Sequence, residues 1–127
     1  MEIEKFVLAI GCARSGTSMI GAILDSHPQM ICGHETEGSK RLWHGMTRED
    51  IVSDISTNSR TYASQNRPSE GYVYGIESEP KVDVKVLADK IWNPAMLLLS
   101  ARIPVLREVV GAPVALVHCL RNPFDVI

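Results

Sequence analysis

The sequence predicts an α/β domain with three layers, in which a parallel sheet is flanked by helices. The apolar run at residues 6–10 is too short for a typical helix and matches a strand that is buried on both faces. A second run at residues 112–120 is rich in valine and leucine and predicts another buried strand. The first run leads through a glycine-bounded loop directly into a helical pattern, which is the strand–loop–helix order of α/β proteins.

The first strand ends at Gly11, and a turn of small residues at 12–18 connects it to the first helix. Apolar residues of this helix recur at the three-and-four spacing of a single buried face: Met19, Ile20, Ile23 and Leu24. His27 and Pro28 end the helix, because proline biases the preceding residue away from helical geometry. Residues 29–33 then predict a short second strand.

The turn between the first strand and the first helix has the composition of a phosphate-binding loop. Backbone N–H groups converge at such a helix start, and the helix dipole adds about half a positive charge. Gly16 permits a close approach of the backbone to an anion, and Arg14 supplies a permanent positive charge. Thr17 and Ser18 add hydroxyl donors. An ordinary turn with a capping serine is the simpler alternative, but these residue types occurring together favour an anion site.

Two common phosphate loops are disfavoured by single residues. Gly11 and Gly16 have the spacing of the GxxxxGK[ST] nucleotide loop, but Thr17 stands where the lysine is required. Without that lysine a nucleoside triphosphate lacks a cation at its β and γ phosphates, which disfavours kinase or ATPase chemistry. A cysteine phosphatase needs an arginine six positions after Cys12, and Ser18 occupies that position.

Residues 14–18 (RSGTS) resemble the loop with which sulfotransferases bind the 5′-phosphosulfate of 3′-phosphoadenosine 5′-phosphosulfate (PAPS). The resemblance continues through residues 24–28 (LDSHP) and 32–36 (CGHET), which are similar to the tyrosylprotein sulfotransferases and their bacterial relatives. It implies a P-loop NTPase-like sulfotransferase fold with PAPS as co-substrate and no metal. The residues that would hold the phosphosulfate are Arg14, Ser15, Gly16, Thr17 and Ser18.

A candidate general base follows the second strand, at the end where open α/β sheets place ligands. A hydroxyl that attacks a sulfuryl group must lose its proton, and a carboxylate such as Glu35 can take it. The resemblance implies this role for Glu35, while His34 remains a rival base because of its pKa near neutrality. His34 and Glu37 replace a glutamate and an arginine of the tyrosylprotein sulfotransferase pattern, so a tyrosine-peptide acceptor is not implied.

The middle of the chain predicts little regular structure. Thr47 caps a short helix through Ile55, and residues 56–80 are polar and aperiodic, which indicates a long loop with surface tyrosines or with tyrosines that line an acceptor pocket. Residues 82–90 predict an edge-like or third strand that ends at Lys90. By resemblance Lys90 contacts the transferring group, where a cation neutralises charge on the leaving phosphate.

The last third of the sequence predicts a buried apolar helix at residues 95–101, a kink or restart at Pro104 and a helix end at Gly111. His118 lies in the strand that follows and is expected to be a core residue. Residues 121–126 (RNPFDV) resemble the 3′-phosphate motif of sulfotransferases. This resemblance implies that Arg121 grips the 3′-phosphate as a charge-assisted pair.

Composition limits the function classes. A net charge of −2 gives no electrostatic footprint for nucleic acid or for an anionic membrane. No apolar run approaches the roughly 20 residues of a membrane span. The 3 scattered cysteines indicate neither a disulfide framework nor a zinc site, so the expected location is cytoplasmic.

The resemblance covers nearly all 127 residues but only the N-terminal, donor-binding part of one sulfotransferase domain. The C-terminal part is expected to be absent, which leaves a sheet face open to a second copy or to the missing half. The predicted function is transfer of the sulfuryl group from PAPS to the hydroxyl of a small molecule or peptide. Two alternatives stay open: a P-loop nucleotide kinase or NTPase, and a non-catalytic anion-binding module.

Overall fold

The computed structural model of the chain describes residues 1–11, 16–69, 72–73, 75–77, 79–91 and 93–122. These residues form six strands and four α-helices, and a 3₁₀ segment at Asn93–Leu98 precedes the last helix. The strands are β1 Lys5–Gly11, β2 Met30–His34, β3 Pro68–Ser69, β4 Tyr72–Val73, β5 Val86–Lys90 and β6 Val114–Cys119. The helices are α1 Thr17–Ser26, α2 Glu37–Lys40, α3 Arg48–Ser64 and α4 Leu99–Val110.

Four strands form one parallel sheet in the order β2-β5-β1-β6, and β3 and β4 form a separate antiparallel pair. Helix α1 packs on one face of the sheet, whereas α3 and α4 pack on the other. The predicted α/β architecture, a parallel sheet flanked by helices in three layers, is therefore confirmed. This arrangement is consistent with the P-loop-like sulfotransferase fold.

The larger core lies between the sheet and helices α3 and α4. Fully buried side chains such as Phe6, Leu8 and Leu87 project from the sheet into it, and Ile51 and Ile55 of α3 cover them. The core on the α1 face is smaller, since it consists of Val7, Cys32 and Ala88 with partly buried neighbours. The small core on the α1 face means that α1 lies closer to the strands than the helices on the other face do.

That difference explains why the prediction for the buried face of α1 was wrong. Met19 and Ile23 are 45% and 48% exposed, and the buried residues of the helix are Thr17, Gly21, Ala22 and Asp25. A Cβ atom built on Gly21 would lie 3.2 Å from the Lys90 Cβ, so the helix rests directly on β5 through a residue without a side chain. Small residues face the sheet because the close approach excludes large ones.

The predictions for strands β5 and β6 need opposite corrections. The edge-like or third strand predicted at residues 82–90 is shorter, Val86–Lys90. It is internal, with β1 and β2 as its neighbours, so the edge-like alternative is wrong. The predicted buried strand at 112–120 is Val114–Cys119 at the edge of the four strands, with Leu116 48% exposed. His118 is exposed and is not the core histidine that the sequence predicted.

Helix α3 is longer than predicted. A capping box starts it, because the Thr47 hydroxyl accepts from the Asp50 N–H and the Asp50 carboxylate accepts from the Thr47 N–H. Ile51, Ile55 and Tyr62 then extend one buried face through seventeen helical residues, past the point where the sequence predicted a loop. Tertiary contact of this face with the core stabilises the polar second half of the helix.

The apolar segment before α4 also departs from the prediction. Residues 93–98 form a 3₁₀ turn in which Leu97 is 88% exposed, so the helix predicted at residues 95–101 is not uniformly buried. Helix α4 contains Pro104 in its interior and ends at Gly111, whose φ of 73° is left-handed, as predicted for a helix-terminating glycine. Within the described ranges, no helix has the length and apolar character needed to cross a membrane.

Candidate functional site

The predicted site residues that the structure describes lie at the carboxyl edge of the parallel sheet. Because all four strands run in the same direction, their C-terminal ends lie along one edge, where open α/β sheets place ligands. From one side of the sheet to the other, the described residues at this edge are Glu35 after β2, Lys90 at the end of β5, Gly11 at the end of β1 and Arg121 after β6. Segments that are far apart in sequence thus meet at one surface.

A direct contact at this edge joins Glu35 and Lys90, for both of which the sequence predicts catalytic roles. Lys90 Nζ lies 2.6 Å from Glu35 Oε1, in a salt bridge with hydrogen-bond geometry. The lysine side chain is 6% exposed, whereas the glutamate side chain is 32% exposed. The carboxylate is therefore accessible from solvent, while the ammonium is held behind it.

Three neighbours bury Lys90. In the sheet it lies beside Ala9 of β1 on one side and His34 of β2 on the other. From the α1 face, the backbone of Gly21 covers the base of its side chain. A cation is thus fixed close to the end of β1, two residues before Gly11.

Glu35 occupies a strained turn directly after β2. Its φ of 48° lies in the left-handed region, which a residue with a side chain adopts at a cost of about 1 to 3 kcal/mol. The Glu35 N–H donates to the Lys90 carbonyl at 2.8 Å, so its backbone and side chain both bind Lys90.

His34, the rival base, is held on the other side of that turn. Asn58 of α3 binds its backbone twice, with Oδ1 accepting from the His34 N–H at 2.7 Å and Nδ2 donating to the carbonyl at 3.2 Å. The imidazole stacks on Tyr62 with ring centroids 4.3 Å apart. Burial, with help from the Lys90 charge, lowers the pKa of His34 to about 4, so the ring is neutral near pH 7.

Helix α1 begins where the predicted phosphate loop ends. Gly16 has a φ of 98°, and its carbonyl accepts from the Ile20 N–H at 3.0 Å. Thr17 is buried and Ser18 is partly buried in the first turn. Arg14, Ser15 and Cys12 lie outside the described residues. The structure therefore places the helical end of the predicted loop and does not test the rest.

Arg121 follows the edge strand β6. The pairing of Gly11 with Cys119 sets the ends of β1 and β6 side by side, so Arg121 lies just past the point where the predicted phosphate loop begins. The residue is exposed. The rest of its motif, residues 123–126, lies outside the described part of the chain.

The sequence analysis missed Asp25, a buried carboxylate that connects several of the elements behind the site. Asp25 is 2% exposed, and its Oδ1 accepts from the Cys32 N–H at 2.9 Å and from the Ser59 hydroxyl at 2.7 Å. Its Oδ2 accepts from Arg67 Nη2 at 3.0 Å, an ion pair in which both side chains are buried. One carboxylate therefore fastens α1 to β2, to α3 and to the segment before β3. The sequence signal for its burial was that helical periodicity places Asp25 on the same face of α1 as Gly21 and Ala22.

Lys81 reinforces the same region from outside. Its Nζ donates to the carbonyl oxygens of Asp25 and His27, the latter at 3.0 Å, and to the Met30 carbonyl at 2.5 Å. These acceptors lie at the C-terminal end of α1 and the start of β2, where a cation also favours the helix dipole. Partial burial lowers the pKa of Lys81, and Asp25 opposes that shift.

A second buried carboxylate, Asp89, lies next to Lys90 and was also missed. It is fully buried, and the Thr36 hydroxyl donates to its Oδ2 at 2.5 Å. Burial raises the pKa of Asp89 to about 7, and nearby Asp54 adds to the shift while the Thr36 bond opposes it. An aspartate inside a strand of otherwise apolar residues was the available signal.

The described residues contain no group of three or more His, Cys, Asp or Glu side chains arranged to hold a metal ion. Lys90 supplies a positive charge at the carboxyl edge, and close contacts define its position. The prediction that the chemistry needs no metal stays a prediction.

Comparison with known proteins adds a partial similarity. A protein of Caenorhabditis briggsae that is provisionally named a protein-tyrosine sulfotransferase is 33% identical to this chain over 63 residues, which cover 48% of this chain and 22% of that protein. Protein-tyrosine sulfotransferase A of Caenorhabditis elegans is 26% identical over 69 residues, with 44% of this chain and 18% of that protein covered. No protein-family model matches the sequence.

These matches concern about half of this chain and about a fifth of each relative. They support a relationship to the sulfotransferase family. The fold observed here is consistent with that family, since it has a parallel sheet of four strands that is flanked by helices.

Proposed function

We propose that this chain carries the donor-binding part of a sulfotransferase that moves the sulfuryl group of PAPS to an acceptor hydroxyl. The observation that carries the proposal is the 2.6 Å contact between Glu35 and Lys90 at the carboxyl edge of the sheet. It sets a solvent-accessible carboxylate and a buried cation beside the strand that leads into the predicted phosphate loop. Transfer of a sulfuryl group to a hydroxyl needs both a proton acceptor and positive charge near the leaving group.

Glu35 is the proposed general base. A positioned carboxylate that takes the proton of an attacking hydroxyl contributes about 10²–10⁴-fold in rate. Glu35 is accessible for this task, and the salt bridge to Lys90 orients its carboxylate. His34 is the weaker candidate, since its ring stacks on Tyr62 and its Nδ1 is buried, so a substrate hydroxyl has less access to it.

Lys90 is the proposed electrostatic partner of the leaving phosphate. Because it is buried between β1, β2 and α1, it presents a fixed ammonium group with little freedom to reorganise. A preorganised charge of this kind stabilises negative charge that develops during group transfer. When bound, PAPS supplies the sulfuryl group and a phosphate leaving group.

The turn before α1 and the residue after β6 are the proposed grips on the donor. Arg14, Ser15 and the first turn of α1 would hold the 5′-phosphosulfate, while Arg121 would hold the 3′-phosphate. Support comes from the left-handed Gly16 at the start of α1 and from the side-by-side ends of β1 and β6. A nucleoside triphosphate is less favoured because the neutral, buried Thr17 stands at the position of the P-loop lysine.

Titration calorimetry of the chain with adenosine 3′,5′-bisphosphate, the desulfated donor product, tests the donor site directly. We expect saturable binding that is weakened at least about tenfold by Arg14→Ala and by Arg121→Ala, since each removes a charge-assisted contact. Arg107→Ala is the matched control, because Arg107 lies in α4 near the start of β6, at the opposite edge of the sheet.

ADP with magnesium serves as the competing ligand in the same titration. Binding of ADP with magnesium in preference to the bisphosphate would contradict the proposal and favour a nucleotide kinase or NTPase. Binding of neither ligand would also count against a donor site in this chain. The acceptor is then tested separately, with phenolic and alkyl hydroxyl compounds and with peptides, because the relatives' names describe their substrates and not this chain's.

A further inference from the structure

Asp89 is a buried ionisable group that the proposed chemistry does not use. It precedes Lys90 in β5 and pairs in register with Gly33 of β2. Successive residues of a strand point to opposite faces, and the Lys90 side chain packs under α1. Asp89 therefore projects into the α3 side of the sheet, where its side chain is fully buried and does not reach the carboxyl edge where a substrate would lie.

The Thr36 hydroxyl connects Asp89 to the turn that carries Glu35. Thr36 Oγ1 donates to Asp89 Oδ2 at 2.5 Å and accepts from the Ser39 N–H at 3.2 Å. The Thr36 side chain is itself fully buried. One hydroxyl thus links the interior of β5 to the first turn of α2.

This link fixes one side of Glu35, and other contacts fix the opposite side. Asn58 holds the backbone of His34, and the Glu35 N–H donates to the Lys90 carbonyl. With both neighbours fastened, Glu35 is held in its left-handed conformation, and its side chain is directed to Lys90 Nζ.

Close packing at Gly33 restricts the positions of the Thr36 and Asp89 side chains. A Cβ atom built on Gly33 would lie 2.4 Å from Thr36 Cγ2 and 3.2 Å from Asp89 Oδ1. The two side chains are therefore packed against the backbone of β2 at a point where only glycine fits. If Asp89 only filled space in the core, its hydrogen bond to Thr36 in the turn after β2 would not be needed.

We propose that Asp89 is a positioning residue for Glu35: through the Thr36 hydroxyl it holds the turn after β2 in the conformation that sets the Glu35 carboxylate against Lys90. The importance of this positioning for catalysis rests on the proposed sulfotransferase function, whereas the effect of Asp89 on the Glu35–Lys90 contact does not. Asp89 acts through Thr36 and touches no reacting group. An oxygen of Asp89 accepts the Thr36 hydroxyl in either protonation state of the carboxyl group.

The test measures the Glu35–Lys90 contact without any donor or activity. In a ¹⁵N-labelled chain, a lysine ammonium group in a salt bridge exchanges its protons with water slowly enough to be observed by NMR at low temperature and mildly acidic pH. Glu35→Gln identifies the signal of Lys90 and sets the exchange rate expected when the salt bridge is lost.

Thr36→Val removes the hydroxyl and keeps the shape of the side chain. We expect it to speed exchange at Lys90 by about tenfold or more, as for loss of one hydrogen bond to a charged group, and to approach the rate in Glu35→Gln. Thr36→Ser restores the hydroxyl and should restore slow exchange. Asp89→Leu should act like Thr36→Val, and combining Thr36→Val with Glu35→Gln should add nothing.

Ser59→Ala is the matched control, because it also removes a buried hydroxyl that donates to a buried carboxylate, here Asp25 at 2.7 Å. It should lower stability while leaving exchange at Lys90 unchanged. A folded Thr36→Val chain that keeps slow Lys90 exchange would overturn the proposal, as would an equal effect of Ser59→Ala. Failure to bind the bisphosphate would refute the proposed function and leave these measurements unaffected, so the two ideas fail separately.

Discussion

Strands β5 and β6 are similar in length and both lie next to β1, yet their side chains have opposite environments. In β5 the charged residues Asp89 and Lys90 are buried, whereas in β6 the apolar Leu116 and Val117 are 48% and 36% exposed. The difference comes from position in the sheet. Strand β5 has strands on both sides and helices on both faces, whereas β6 pairs only with β1 among the described strands. Neighbours, and not hydropathy, decide burial here.

The largest expected effect compares one leucine from each strand. Leu87→Ala in β5 should lower the free energy of unfolding by about 2–5 kcal/mol, because Leu87 is fully buried and its truncation leaves a cavity. Leu116→Ala in β6 should lower it by about 0.5 kcal/mol or less. Urea denaturation of both variants measures the contrast, and equal losses would show that β6 is buried in solution.

A smaller effect is expected where β2 passes over the side chains of Asp89 and Thr36. Gly33→Ala should destabilise the chain by about 1–3 kcal/mol, since its Cβ would lie 2.4 Å from Thr36 Cγ2. The matched control is Gly75→Ala, at a glycine with no atom within 4 Å of an added Cβ, which should change stability by less than about 1 kcal/mol. Thermal unfolding monitored by circular dichroism compares the two, and a neutral Gly33→Ala would contradict the packing described.

The pH dependence of stability offers a finer comparison, between Asp89 behind the site and His34 beside it. The folded-state pKa of Asp89 is raised to about 7, so the folded chain retains a proton that the unfolded chain releases near pH 4. Its contribution to stability is therefore present in acid and is lost as pH rises to about 7. The folded-state pKa of His34 is lowered to about 4, so its contribution is present above about pH 6.5 and is lost as pH falls towards 4.

Because the two slopes oppose each other, the wild-type chain should show a flattened pH profile, and single variants should separate them. Asp89→Asn should make stability fall more steeply from pH 6.5 to 4, whereas His34→Asn should make stability rise as pH falls over the same range. Urea denaturation at several pH values measures both. Parallel profiles for the two variants would show that one of the assigned directions is wrong.

The smallest effect on stability is expected at the exposed side of β6. Replacing Leu116 by Thr and Leu120 by Ser should change the free energy of unfolding by about 0.5 kcal/mol or less, since both side chains are exposed. The same change should reduce self-association, because an open sheet edge with apolar side chains favours pairing with another chain. Sedimentation velocity measures it, with Leu97→Ser as the control at an exposed leucine of the 3₁₀ segment. Equal self-association in all variants would contradict a role for β6.

The sequence was sufficient for the architecture and for bringing Glu35 and Lys90 to one edge. Alternation of strand and helix patterns predicts a parallel sheet, and parallel strands end together. It was insufficient for the order of strands, and the errors at β5, β6 and His118 follow from that, since burial depends on which strand is a neighbour. The face of α1 was misjudged because apolar spacing around Met19 and Ile23 does not show that Gly21 and Ala22 allow a closer approach.

The hydrogen-bond network behind the site was beyond sequence reasoning for a different reason. Asp25, Thr36 and Asp89 are ordinary polar residues until the chain brings their partners within hydrogen-bond distance, and those partners lie up to 53 positions away. A polar residue in an apolar pattern indicates that such a partner exists, but not which residue it is.

The strand order also has a consequence for how the chain acquires its site. Strand β5 lies between β1 and β2, so β1 and β2 do not pair with each other. During synthesis, the parallel pairs that contain β1 and β2 cannot form until residues 86–90 have emerged. Glu35 then meets Lys90 when β2 pairs with β5, since Glu35 directly follows β2 and Lys90 ends β5. Non-local pairing of this kind slows folding, and every chain that has completed it has also assembled the charge pair.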